Sequence, residues 1–188
     1  QLAVGWAEPG DRQNPAHCAT RAVANGSGYV INGSKLCVLN APNAQGLIIS
    51  ARTSGKPGDP DGISLFEIDP AAPGVSLVRY PLLGGGSAAN VNMDGARVSA
   101  DSLLGSIGEG LALLDDALDH ATVAACAQAL GAMQALVERT TAYLQVRKQF
   151  GVPIGSFQAL QHRLVDMYID VEQSRSMVLM ASVRIGSA

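Results

Sequence analysis

Arg147-Lys148-Gln149-Phe150-Gly151-Val152-Pro153-Ile154-Gly155-Ser156-Phe157-Gln158-Ala159-Leu160-Gln161-His162-Arg163-Leu164 is the stretch whose reading decides the fold. A basic pair leads into a tight connection punctuated by Gly151, Pro153 and Gly155, and an apolar periodicity of three and four residues starts on its far side. Ser156 stands where a helix N-cap is needed, because a hydroxyl there accepts a hydrogen bond from an unpaired N–H of the first turn. The turn therefore joins two helices.

Upstream, Leu111, Leu114, Leu118, Ala121, Ala125, Ala129, Met133, Leu136 and Leu144 recur at helical steps. Ser106-Ile107-Gly108-Glu109 has the form of a capping box, which predicts a helix start there. No Pro intervenes before Gly151, so the helix runs about 40 residues, or roughly 60 Å at 1.5 Å per residue. Its centre, Ala121 to Ala132, is rich in Ala and Gly and suits close approach of another backbone. Downstream, Phe157, Leu160, Leu164, Met167, Val171 and Val178 share one face of a second helix. A short connection makes the two antiparallel neighbours. Two helices are an incomplete bundle, and the apolar face they leave open calls for association.

Residues 1–104 read differently. Gly and Pro are dense, apolar runs are short, and six or seven strands with frequent turns favour a small barrel or sandwich. The expected strands are Cys18 to Val23, Tyr29 to Ile31, Lys35 to Leu39, Leu47 to Ser50, Ile63 to Ile68, Val75 to Val78 and Asn90 to Met93. Asn25-Gly26 and Asn32-Gly33 are each expected to be turns, the second a type I′ hairpin. Arg52 to Gly62 has no apolar anchor and reads as a mobile surface loop. The fold class is thus α+β: a small antiparallel β-barrel over 1–104, then a long antiparallel helix pair over 105–188.

Composition narrows the function. A net charge of −3 with 13 Lys plus Arg supplies no broad basic surface, which argues against nucleic acid as a partner. Neither a membrane-spanning run nor a signal-type N-terminus stands out, so no membrane partner is expected and the protein reads as cytoplasmic. Three widely spaced cysteines, Cys18, Cys37 and Cys126, suit neither a disulfide framework nor a metal site, and are expected to be buried small hydrophobes. Gly84-Gly85-Gly86-Ser87-Ala88-Ala89 matches a dinucleotide fingerprint formally, but Asn90-Val91-Asn92-Met93-Asp94-Gly95 does not open a helix.

Glu8-Pro9-Gly10, then Gly28-Tyr29-Val30-Ile31-Asn32-Gly33-Ser34-Lys35, then Arg147-Lys148-Gln149-Phe150-Gly151 followed by Gln158, occur in that order along a β region and two long helices. In this the whole chain resembles the acyl-CoA dehydrogenase family, flavoproteins of fatty acid metabolism that remove the α and β hydrogens of an acyl-CoA thioester. The resemblance implies a middle β-barrel and about half of a C-terminal four-helix bundle, with FAD as cofactor and acyl-CoA as substrate. It also implies electron-transfer flavoprotein as acceptor, and a homo- or hetero-oligomer that is a dimer of dimers in the intact protein. Since residue 1 is Gln, a piece of a longer protein is expected.

The resemblance assigns Arg147, Phe150 and Gln158 to the adenosine diphosphate part of an FAD held by a neighbouring subunit. Read without it, Arg147 is a charge at a helix C-terminus and Phe150 is turn packing. Trp6, Ala7, Cys37 and Leu39 fall on the flavin side, and Gln13, Leu118 and Asp119 where the family meets acyl-CoA. Several positions depart from the family pattern. Ala7 stands for a Thr, Arg12-Gln13-Asn14 for G-S-D, and Lys35-Leu36-Cys37-Val38-Leu39-Asn40 for K-x-W-I-T-N, so two hydroxyl donors and one aromatic wall are missing. Ala121 and Thr122 occupy positions where some members carry a catalytic Glu and an Arg, and alanine accepts no proton. No catalytic residue is therefore assigned. Asp119 with His120, and His162 with Asp166, read as surface groups. Two expectations follow: a piece of an FAD-dependent acyl-CoA dehydrogenase, or a non-catalytic subunit lending FAD contacts to a related chain.

Overall fold

The computed structural model describes residues 1–11 and 13–186. It divides into two compact units, Gln1–Asp116 and the residues from Ala117 onward.

The first unit holds eight strands: β1 Leu2–Gly5, β2 Arg21–Asn25, β3 Gly28–Leu39, β4 Gly46–Arg52, β5 Ile63–Ile68, β6 Val75–Pro81, β7 Ser87–Ser99 and β8 Leu103–Leu104. They form one sheet in the order β6-β7-β3-β2-β4-β5-β8, with β1 beside β4. Most pairs are antiparallel, but β1 runs parallel to β4, so the sheet is mixed rather than wholly antiparallel. Ile31 and Val38 of β3, Leu47 and Ile49 of β4, Phe66 and Ile68 of β5, and Val91 and Met93 of β7 share one core. Tyr29 and Phe66 meet there at 4.9 Å between ring centroids.

The α+β arrangement is as expected, and the Asn25-Gly26 hairpin is present, Asn25 pairing with Gly28. Asn32-Gly33 is not a turn. It lies inside β3, which pairs with β7 on both sides of it, and the register shifts between Ile31 and Gly33. Asn32 Oδ1 accepts the Gly95 N–H at 2.7 Å. A Cβ at Gly33 would come within 2.4 Å of Thr20 Oγ1, so the glycine serves close approach within a bulge. The 52–62 segment is also not an unanchored loop. Arg52 is buried at 1% exposure, and its guanidinium donates to the carbonyls of Cys18, Ser54, Asp61, Ala16 and Asp59, winding the segment around one charge.

Two long helices follow, α1 Gly110–Val146 and α2 Gln158–Ile185. At 37 residues α1 spans about 55 Å. It starts at Gly110 rather than at the Ser106-Glu109 box. Glu109 N–H bonds the Ser106 carbonyl at 3.3 Å, while Gly108 N–H donates to Ser64 Oγ at 2.8 Å, so a turn held by β5 occupies these residues. Nor does Ser156 cap α2. Its hydroxyl donates to Pro153 O at 2.7 Å, a short 3-10 turn fills Ile154–Ser156, and Phe157 is the N-cap without a side-chain bond.

Within the second unit Arg175 Nη2 reaches Gln134 Oε1 at 3.5 Å, which places α2 beside α1. Val171 is the one buried hydrophobic among the described residues of α2, and Leu136, Tyr143, Val165, Tyr168, Met177, Leu179 and Val183 are all exposed. The expected open apolar face is there. Gly131 has nothing within 4 Å of a Cβ position, so the small-residue centre of α1 is not closely approached by the described residues. By length and composition alone α1 is long and apolar enough to cross a membrane, which corrects the expectation that no segment is. The long Ala-rich run with few charges passes where a search for unbroken apolar runs misses it.

Candidate functional site

Lys148–Gln149 pairs antiparallel with Val152–Pro153 as two short strands, β9 and β10. Phe150 and Gly151 are the two residues between them, with φ of 54° and 85°, as a type I′ turn requires. The Ile154 N–H bonds Arg147 O at 2.8 Å and closes the loop. For a bulky residue such as Phe a positive φ costs about 1–3 kcal/mol. Its ring is nonetheless 92% exposed and meets the edge of Phe157, at 6.2 Å and 80° between planes. The turn strains its backbone to hold an aromatic ring outward.

Two features surround that ring. The Arg147 side chain is exposed and makes no hydrogen bond or ion pair with the described residues. Gln158 is the first residue of α2, also exposed, at a helix N-terminus that no side chain caps. Its N–H and that of Ala159 find no backbone acceptor among the described residues. An unpaired guanidinium, an open helix N-terminus and a presented aromatic ring suit a diphosphate joined to a flat base. Arg147 ends the approach to this turn, Phe150 is at its tip and Gln158 opens the helix that follows it.

In the first unit, Trp6 and Ala7 follow β1, and both are half-buried. Leu36 N–H donates to Ala7 O at 2.8 Å, joining this segment to β3 beside Cys37 and Leu39. Cys37 has φ 49°, sits in a second register shift between Lys35 and Val38, and turns outward, as does Leu39 at 60% exposure. The Cys37 N–H is taken by Asn90 Oδ1 at 3.1 Å, which also accepts the Tyr80 hydroxyl at 3.2 Å. The neighbouring Cys37 side chain raises the Tyr80 hydroxyl above its ordinary range. The Trp6 and Ala7 N–H groups donate to none of the described residues. The side chains at Cys37 and Leu39 offer a flavin no aromatic wall and no hydroxyl, but these backbone donors remain. Gln13 lies in the loop beyond, at φ 64°, its N–H on Asp11 Oδ1 at 2.9 Å. Arg12 lies outside the described residues.

Behind Trp6 and Ala7 is a buried ion pair. Lys35 Nζ lies 2.5 Å from Glu8 Oε1, with the two side chains 0% and 3% exposed. The ammonium also reaches Ser50 Oγ at 2.9 Å and Trp6 O at 3.4 Å. Glu8 accepts the N–H groups of Ala19 at 2.6 Å and Thr20 at 3.1 Å. Burial pushes the Glu8 carboxyl up, but the Lys35 charge and the hydrogen bonds from Lys35, Thr20 and Ala19 outweigh it and hold it below its ordinary range. Burial likewise raises the neighbouring Cys18 thiol. Glu8 and Lys35 were visible as motif residues, but not as partners. The signal was a lone Lys in an otherwise apolar strand, which must find an opposite charge if it points inward.

Other expectations need adjustment. Cys18 is buried, but Cys37 and Cys126 are exposed, because one sits on a bulge and the other on the open face of the helix pair. Leu118 is half-buried and Asp119 exposed on α1, within the second unit. Ala121 is exposed, and Thr122 returns its hydroxyl to Leu118 O at 2.7 Å. His162 and Asp166 are exposed on α2.

Comparison with known proteins is decided by two family models. The acyl-CoA dehydrogenase middle domain matches residues 3–95, and the acyl-CoA dehydrogenase C-terminal domain matches residues 108–186. The chain belongs to the acyl-CoA dehydrogenase family. It is 35% identical over 183 residues to the probable acyl-CoA dehydrogenase YngJ of Bacillus subtilis (strain 168), covering 96% of this chain and 48% of that protein. Among solved structures, a probable acyl CoA dehydrogenase from Mycobacterium abscessus superposes with a TM-score of 0.91 at 25% identity, covering 98% of this chain and 49% of that one. A structure described as an FAD-dependent dehydrogenase does so with a TM-score of 0.90 at 28% identity, covering 97% and 50%. The chain spans about half the length of the family members it matches.

Proposed function

We propose that this chain is part of an FAD-dependent acyl-CoA dehydrogenase in which the Arg147–Gln158 turn holds the adenosine diphosphate end of an FAD belonging to a neighbouring subunit. The observation that carries this reading is Phe150: a strained aromatic beside Arg147 keeps its ring 92% exposed with one edge contact to Phe157, and a ligand outside the chain explains why it is held there. Family membership and likeness to an FAD-dependent dehydrogenase support the cofactor.

Arg147 neutralises phosphate charge through paired N–H donors. Phe150 offers a flat face for the base, and Gln158 supplies an amide at the helix start. In the first unit, the Trp6 and Ala7 N–H groups are the chain's own donors toward the ring, with Cys37 and Leu39 beside them. Held by these residues, a bound FAD would supply the hydride acceptor for the reaction. Ala121 supplies no proton acceptor for the α-carbon. Acyl-CoA as substrate and an electron-transfer flavoprotein as acceptor follow from the same family reading, as does an oligomer in which hairpins meet.

The missing aromatic and hydroxyl at Cys37 and Leu39 favour one second reading, a subunit that has lost its own flavin and serves a related chain. Flavin stoichiometry separates the two. The full-length protein alone should carry one FAD per chain; flavin that appears only on co-expression with a partner favours the second reading, and none in either case rejects both.

A further inference from the structure

The Lys35–Glu8 pair touches no candidate ligand, yet one of its bonds reaches the Trp6–Ala7 peptide. Lys35 Nζ approaches Trp6 O at 3.4 Å while anchored to Glu8 Oε1 and Ser50 Oγ. Ammonium carries three protons, which these three oxygens share with Cys18 Sγ at 3.8 Å. No peptide bond among the described residues is cis. In a planar trans peptide the carbonyl of one residue and the N–H of the next point in opposite directions. A Trp6 carbonyl drawn inward to Lys35 therefore turns the Ala7 N–H outward, and that N–H bonds to none of the described residues. The next peptide is fixed the same way. Ala7 O is held by the Leu36 N–H at 2.8 Å, and the Glu8 N–H is turned onto Asp11 Oδ2 at 2.7 Å.

We propose that Lys35, anchored by Glu8 and Ser50, is a positioning residue that aims the Ala7 N–H at the flavin ring. This rests on the reading of the chain as an FAD-binding dehydrogenase. It accounts for why the segment keeps a defined donor although Ala7 offers no side-chain hydroxyl. The ring contact has passed to the backbone, and a backbone donor needs a device to orient it. Burying a charged pair is an inefficient way to stabilise a barrel, which an apolar pair does as well. It is an effective way to grip a carbonyl.

The test uses the full-length protein and the double variant Lys35→Met with Glu8→Gln. The glutamine carbonyl still accepts the Ala19 and Thr20 N–H groups, and no unpaired charge is buried. A second variant, Lys35→Gln with Glu8→Gln, keeps a polar neutral pair whose shorter amide stops short of Trp6 O. Amide hydrogen exchange at Leu36 reports on the clamp without any flavin, and the visible circular dichroism and affinity of bound FAD report on the ring. Expected are about tenfold faster exchange at Leu36 with β5 amides unchanged, about tenfold weaker FAD binding and altered dichroism. Wild-type protein that takes up no FAD overturns the underlying reading and the flavin role with it. Wild type that binds FAD beside folded variants with the same affinity and dichroism overturns the positioning role alone, as does unchanged exchange at Leu36.

Discussion

Phe150 and Phe157 meet edge to face across the helix turn, their ring centroids 6.2 Å apart, and the contact leaves Phe150 92% exposed. An edge contact of this kind is worth about 0.5–1.5 kcal/mol, about the size of the strain of holding Phe at φ 54°. Replacing Phe150 with Asn, which tolerates the left-handed region, removes both terms. Stability measured by denaturant unfolding should change by less than about 1 kcal/mol, while FAD affinity of the full-length protein falls at least about tenfold. A large loss of stability would mark Phe150 as turn packing.

Lys35→Met alone leaves Glu8 buried beside no cation and should cost about 3–5 kcal/mol in unfolding free energy. Adding Glu8→Gln should recover most of that loss, and the same denaturant titration shows whether it does.

Glu8 also sets an acid limit. Its carboxyl is held below the ordinary value of 4.5, so the folded state binds fewer protons there than the unfolded chain. The stability it contributes is fully present above pH 4.5 and is lost as pH falls through the lower folded value. In the Lys35→Met, Glu8→Gln variant the unfolding free energy should vary less with pH below 4.5 than in wild type.

Cysteine labelling checks the bulge in β3. Cys18 is buried and its thiol is raised by burial, whereas Cys37 is exposed at φ 49°. Iodoacetamide near neutral pH should modify Cys37 and spare Cys18 until the protein is unfolded.

The sequence made the element types plain where periodicity is long or bounded by breakers. Ile63 to Ile68 is β5 to the residue, because Gly62 and Asp69-Pro70 flank an apolar run. The two long helices were equally legible. What misled was local signal overridden from a distance. Asn32-Gly33 has the spelling of a hairpin, but β7 pairs on both sides of it, and Thr20 needs the space. Arg52 looked like the start of a polar loop, and its role as the hub of that loop depends on five carbonyls drawn from two segments. In the candidate site, Arg147, Phe150 and Gln158 stood close together in the sequence and could be named. Lys35 and Glu8 are 27 residues apart, and only the fold shows them paired.

The most direct test is FAD titration of the full-length protein and its Arg147→Ala variant, followed by flavin absorbance after gel filtration. A turn that serves a neighbour's cofactor predicts one FAD per chain in wild type and affinity weakened by at least about tenfold in the variant, with unfolding stability unchanged because the Arg147 side chain bonds none of the described residues and its backbone bonds survive the substitution. Equal FAD affinity in the two proteins would contradict it.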